Sequence, residues 1–222
     1  MGEWIELKTA DGAKISAWLA TPAAQPRGGV VVVQEIFGVN HHIRSIADRL
    51  AAEGYLAIAP ATFDRVEKGV ELAYDQPGMT RGRDIVGKVD RNGALADIAA
   101  AVDRVAGAGK VGVVGFCWGG TMAWLAAAQT DGIAASVGYY GGGVIGLKML
   151  TPRVPTVLHF GEQDGHIPLD GVREVEAAHP ETPVYIYPAG HGFNCDERAS
   201  YDAPSAALAW GRTLDFFAKH LG

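Results

Sequence analysis

The residues with the clearest chemical potential stand in three short stretches. The first is Val113-Val114-Gly115-Phe116-Cys117-Trp118-Gly119-Gly120, where one of only two cysteines sits between glycines at the end of an apolar run. This spacing matches the G-x-S-x-G elbow on which a strand turns sharply into a helix, with sulfur in place of the serine oxygen. Glycines are needed because the corner is strained and a side chain on either flank would collide with the neighbouring strand and helix. A cysteine on that corner lies at a helix N-terminus, whose positive end favours a thiolate. The Trp118 N–H then points toward a developing oxyanion. Taken alone, the same residues also fit a small buried thiol in a glycine-rich turn.

The second stretch, Leu158-His159-Phe160-Gly161-Glu162-Gln163-Asp164-Gly165-His166-Ile167-Pro168, places Asp164 after an apolar run and a glycine turn. The third, Tyr187-Pro188-Ala189-Gly190-His191-Gly192-Phe193-Asn194, puts His191 between two glycines. An isolated Asp in a loop is most often a cap, and an isolated His a surface group. The chain order Cys117, Asp164, His191, each after an expected strand, is the nucleophile–acid–histidine order of α/β-hydrolases.

The elements that must position these residues alternate along the chain. "WIELKTADGAKISAWLATP" alternates apolar and polar positions about a turn and predicts two antiparallel edge strands. "GGVVVVQEIFGVN" contains a β-branched run of the kind buried on both faces. Asn40, Ile43, Ile46, Ala47, Leu50 and Gly54 predict a capped amphipathic helix. Strands are expected at "YLAIAP", "KVGVVGF", "GIAASVGYYGG", "VPTVLHFGEQD" and "PVYIYP", and helices at "NGALADIAAAVDRVAG", "WGGTMAWLAAAQ", "DGVREVEAA" and "PSAALAWGRTLDFFAKHLG". Residues 61–91 show no clear period and read as a loop with short helical pieces over the sheet, a candidate lid or pocket wall. Strand–helix alternation without repeat or linker predicts one α/β domain over 1–222, a three-layer αβα sandwich on a mostly parallel sheet with antiparallel N-terminal strands. Ligands in such folds sit beyond the carboxyl ends of the strands, which selects 34–37, 117–118, 161–166 and 190–194.

Composition excludes several classes. The chain has 222 residues, 48% hydrophobic and 20% charged, and a net charge of −6, with no basic stripe for nucleic acid. An anionic ligand would have to be drawn by locally placed arginines. No apolar stretch approaches the ~20 residues of a membrane span, and the first residues lack a secretion signal. A cytoplasmic protein is expected. Two cysteines are too few for a disulfide scaffold, and no His/Cys cluster has metal-ligand spacing.

The "QEIFGVN" segment, the G-x-C-x-G-G elbow, "GEQDGHIP" and "GHGF" together resemble the dienelactone hydrolase (carboxymethylenebutenolidase) family of the α/β-hydrolase fold, over nearly the whole chain. The resemblance implies a cofactor-free enzyme that opens unsaturated cyclic esters during breakdown of aromatic compounds. Cys117 resembles its nucleophile, His191 its general base and acid, and Asp164 the carboxylate that orients the histidine. Glu35 resembles the family's extra carboxylate beside the nucleophile, and Ile36 and Trp118 its two oxyanion donors. Substrate carboxylates are held in the family by arginines, one in the long loop and one shortly after the histidine. Arg81 and Arg83 are the loop candidates, with Tyr74 as a further pocket residue. After His191 the expected arginine is replaced by Cys195, and Arg198 is the next available cation. A redox partnership between Cys195 and Cys117 stays open.

Three other readings compete. Amidotransferase-like cysteine enzymes also use an elbow, but they place a glutamate two residues after the histidine, where this chain has Phe193. A short-chain carboxylesterase and a non-catalytic ligand-binding or redox-sensing module both remain compatible. The expected partner is a small anionic ester or lactone, and a monomer is the preferred state.

Overall fold

The computed structural model describes residues 2–222. One eight-stranded sheet runs through it in the order β1-β2-β4-β3-β5-β6-β7-β8. Its strands are β1 (Glu3–Lys8), β2 (Lys14–Ala20), β3 (Gly29–Val33), β4 (Leu56–Pro60), β5 (Val111–Phe116), β6 (Ile133–Tyr139), β7 (Thr156–Gly161) and β8 (Val184–Tyr187). β2 is antiparallel to both its neighbours, while every pairing from β4 to β8 is parallel. The N-terminal hairpin is therefore as expected, but of its two strands β1 alone is an edge, β8 being the opposite edge of the sheet. β2 joins the sheet body through Ala17–Ala20 against β4.

The helices are α1 (His41–Ala52), α2 (Gln76–Val86), α3 (Arg91–Val105), α4 (Trp118–Gln129), α5 (Leu169–Ala178) and α6 (Ala203–His220). Strand alternation divides the core between the two faces of the sheet. Val30, Val32, Ala57 and Ala59 pack with Ile43, Ile46 and Leu50 of α1 and Phe217 of α6. Val31, Val33, Ile58 and Val113 pack with Ile98 and Val102 of α3 and Met122 of α4. Because both faces are covered, the central strands are apolar throughout rather than alternating.

Residues 61–91 are more regular than their sequence suggests. A short 3-10 helix, Thr62–Arg65, is followed by the eleven-residue α2. Glycines at 78 and 82 interrupt the apolar period, which conceals the helix from a pattern reading. The start signal was nevertheless present: the Asp75 side chain accepts from Gly78 N, and Pro77 occupies the first turn.

A second polar cluster ties α6 to the sheet. His159 on β7 is fully buried, between Tyr139 and Tyr185, with ring centroids 4.5 and 5.6 Å away. Its Nδ1 meets the Tyr187 hydroxyl at 2.8 Å and its Nε2 meets Thr213 Oγ1 at 3.3 Å. Burial, helped by the Arg212 charge, lowers the imidazole pKa from 6.5 to about 3. The unfolded chain therefore takes up a proton that the folded chain refuses as pH falls from 6.5 toward 3. Stability present above pH 6.5 is lost across that window. Thermal melts should show a smaller acid-induced fall in Tm for His159→Gln than for the parent chain.

Candidate active site

The carboxyl ends of β3, β5, β7 and β8 converge on one cavity of about 350 Å³, whose lining includes Ile36, Phe37, Cys117, Trp118, Tyr140 and His191. At its floor the chain turns from β5 into α4 through Cys117, whose backbone stands at φ 54 and ψ −117. Positive φ is costly for a residue with a side chain and persists where surrounding structure enforces it. The Cys117 N–H donates to the Tyr139 carbonyl at 2.9 Å, pinning the corner to the end of β6. A Cβ on Gly115 would overlap the Gly119 carbonyl, and one on Gly119 would overlap the Val33 carbonyl and lie 2.5 Å from that of Gln34. The elbow glycines therefore let three strands and a helix meet backbone to backbone.

The sequence-spaced residues come together here. His191 Nε2 lies 3.2 Å from Cys117 Sγ, and His191 Nδ1 lies 2.7 Å from Asp164 Oδ2. The other Asp164 oxygen accepts the His166 N–H at 2.8 Å. Burial alone would lower the His191 pKa, but the Asp164 hydrogen bond and the adjacent Cys117 sulfur outweigh it and raise the group to about 10. For Asp164 burial raises the carboxyl, yet the bonds from His191 and His166 bring it below the ordinary range. The carboxylate thus stays ionised beside an imidazole that readily holds a proton, which suits transfer between sulfur and ring nitrogen.

Glu35 is completely buried behind this relay. Tyr74 Oη donates to Glu35 Oε2 at 2.8 Å, and Arg198 Nη1 lies 3.4 Å from Oε1. Arg198 also covers the Phe37 and Tyr74 rings at 5.6 and 5.5 Å and reaches the cavity wall. It lies across Gly192, where an added Cβ would meet its Nη1 at 2.5 Å, so the glycine after His191 makes room for the guanidinium. Ile36 and Trp118 line the cavity. Among the hydrogen bonds of the described residues, neither backbone N–H donates to a protein acceptor.

Of the two loop arginines, the structure brings in one. Arg83 lines the cavity, whereas Arg81 turns outward and holds both Glu67 carboxylate oxygens at 2.6 and 2.7 Å. The two lie on different faces of α2, which a loop reading could not separate, and the structure does not bring Arg81 to the cavity. Tyr74 meets Glu35 rather than the cavity lining. Cys195 is a free, buried thiol held high, at about 12, by burial and then by the Glu35 charge. It does not share the cavity lining with Cys117. Sequence reasoning missed Met79, Arg91 and Tyr140 as wall residues, while His166 falls in the selected stretch 161–166. The missed residues carry no local signal. Among the described residues no group of three His, Cys, Asp or Glu could hold a metal, and no helix is long and apolar enough to cross a membrane.

The family model for the dienelactone hydrolase family matches residues 15–221. The chain belongs to that family. This dienelactone hydrolase family member is 35% identical to a carboxymethylenebutenolidase of Pseudomonas putida, over 97% of this chain and 96% of the relative. It is also 35% identical to a proposed carboxymethylenebutenolidase of Synechocystis, over 94% and 93% of the two chains. A proposed dienelactone hydrolase from Klebsiella pneumoniae superposes with a TM-score of 0.87 at 33% identity, covering 99% of this chain and all of the other. The family fold is the α/β-hydrolase fold, and the chain is an ester or lactone hydrolase.

One wall residue leaves an imprint on stability. Tyr140 adopts φ 39, is fully buried and has a hydroxyl with no protein partner. A buried unpaired hydroxyl costs about 1–3 kcal/mol. Tyr140→Phe should therefore raise Tm by a few degrees in calorimetry; a lower Tm would contradict this account.

Proposed function

We propose that the protein is a cysteine-dependent hydrolase that opens an unsaturated, dienelactone-like lactone through a thioester acyl-enzyme, in the breakdown of aromatic compounds. The observation that carries the reading is the continuous contact Cys117 Sγ–His191–Asp164, at 3.2 and 2.7 Å, beside two unengaged backbone N–H groups. The Cys117 thiol gives its proton to His191, and the sulfur attacks the lactone carbonyl. The Ile36 and Trp118 N–H groups hold the resulting oxyanion. Collapse breaks the ring C–O bond, and the imidazolium returns the proton to the leaving oxygen. The open chain is then bound to sulfur as a thioester. Neutral His191, oriented by Asp164, next takes a proton from water; the hydroxide attacks the thioester, the C–S bond breaks, the imidazolium returns its proton to the Cys117 sulfur, and the acid product leaves.

The buried arrangement around Glu35 supports an anionic substrate. A substrate carboxylate that engages Arg198 would compete with Glu35 Oε1 for the guanidinium and release that carboxylate toward the sulfur. Arg83 offers a second cation at the cavity wall, where no carboxylate of the described residues pairs with it. One domain over 1–222, acting as a cytoplasmic monomer, fits this reading.

The reading is tested by turnover of dienelactones, simple lactones and short p-nitrophenyl esters. Cys117→Ala should abolish turnover while leaving Tm close to that of the parent. Arg198→Ala should raise KM for carboxylated lactones by about tenfold, a loss of ~1.4 kcal/mol, with less effect on neutral esters. Equal turnover by the parent chain and Cys117→Ala would end the hydrolase mechanism. A preference for neutral esters unaltered at Arg198 would instead identify a general short-chain carboxylesterase.

A further inference from the structure

The segment that carries Ile36 is held from outside the sheet. Leu72 N donates to the Phe37 carbonyl at 2.9 Å, and Gly38 forms an isolated antiparallel bridge with Glu71. Gly38 stands at φ 80, and a Cβ there would overlap the Val70 carbonyl. The third contact comes from α2. Gly82 is buried on its inner face, and a Cβ at this position would overlap the Ile36 carbonyl oxygen, lie 3.0 Å from its carbon and reach the Ile36 Cβ at 3.3 Å. Real Cβ atoms essentially never come within 3.0 Å of another heavy atom in this way. The helix axis thus lies against the backbone of Ile36 with no side chain between them, and nearby positions on α2, Met79 and Arg83, face the same cavity.

We propose that Gly82 is a positioning residue for the reaction: it lets α2 lie directly on Ile36 and so sets where the Ile36 N–H stands relative to the Cys117 corner. This rests on the reading of Ile36 as an oxyanion donor. Since the Ile36 carbonyl and N–H flank one Cα, pushing the carbonyl tilts the donor. An oxyanion donor acts through geometry, and a misplacement of about 1 Å costs on the order of 10²-fold. A glycine inside an exposed helix is otherwise unfavourable, since alanine is the better helix former. Its presence at the closest approach of α2 to the site is accounted for by this contact.

The test is Gly82→Ala, assayed with a p-nitrophenyl ester for kcat and KM separately, alongside Gly87→Ala, whose Cβ would meet only ordinary contacts at 3.5 and 3.6 Å. The expected result is a fall in kcat of about 10²-fold with KM changed less than threefold, while Gly87→Ala keeps parent kinetics. If α2 rather than Ile36 gives way, Met79 and Arg83 withdraw from the cavity, KM alone rises, and the proposal is overturned. Parent kinetics for Gly82→Ala overturn it as well. Should Gly82→Ala fail to fold, Asp75→Ala removes the N-cap of α2 and loosens its hold on Ile36 without a clash. That variant should lower kcat severalfold, with any rise in KM coming from Met79 and Arg83, and an unchanged kcat would overturn the proposal. Absence of Cys117-dependent turnover in the parent chain would remove the hydrolase reading itself, a result that these kinetic ratios do not mimic.

Discussion

Cys117 stands at φ 54 because the corner it occupies is closed on three sides by backbone rather than by side chains. The carbonyl of Val33 lies where a Cβ of Gly119 would be, the carbonyl of Gly119 where a Cβ of Gly115 would be, and the Cys117 amide is taken by Tyr139. Relaxing the corner to ordinary dihedrals would require β3, β5 and β6 to separate, and their β-branched, fully buried residues oppose that. The sheet therefore enforces the strained conformation, and the strain lifts the sulfur toward the cavity, within reach of His191. The parallel order makes this possible, since β3, β5, β6, β7 and β8 all end on the same side and deliver Glu35, Cys117, Tyr140, Asp164 and His191 to one place.

Charge is arranged around that corner with unusual economy. Asp164 is buried yet kept ionised by two donors, and it supports the raised pKa of His191. Glu35 is buried without a partner of full strength: a phenol holds one oxygen and a guanidinium stands 3.4 Å from the other. A buried carboxylate so lightly held is sensitive to any competing anion. Arg198 reaches this position from farther along the chain than the place Cys195 occupies, and it can do so because Gly192 leaves the path open. The small, neutral thiol of Cys195 fills the space beside Tyr74 and Glu35.

The excursion between β4 and α3 supports the site without supplying its nucleophile, acid or base. It pairs with residues 37 and 38, carries Met79 and Arg83 to the cavity and rests Gly82 on Ile36. Its helix escaped sequence reading because the glycines that permit close approach also erase the apolar period on which such reading depends.

Sequence alone determined the order of strands and helices, the elbow and the chain order Cys117, Asp164, His191. Those features are local: β-branched runs, caps and flanking glycines express the conformations they require within a few residues. Glu35 and Ile36 fall in the strand-end stretch 34–37, but their roles were legible only through the family resemblance, since a buried strand-end glutamate looks in sequence like a solvated one. Tertiary structure alone decided that Arg83 and Arg198 face the cavity while Arg81 pairs with Glu67, that Tyr74 serves Glu35, and that Tyr140 is sealed without a partner. Such choices depend on which face of α2 turns inward and on which distant backbone each long side chain crosses. Neither is encoded in spacing along the chain.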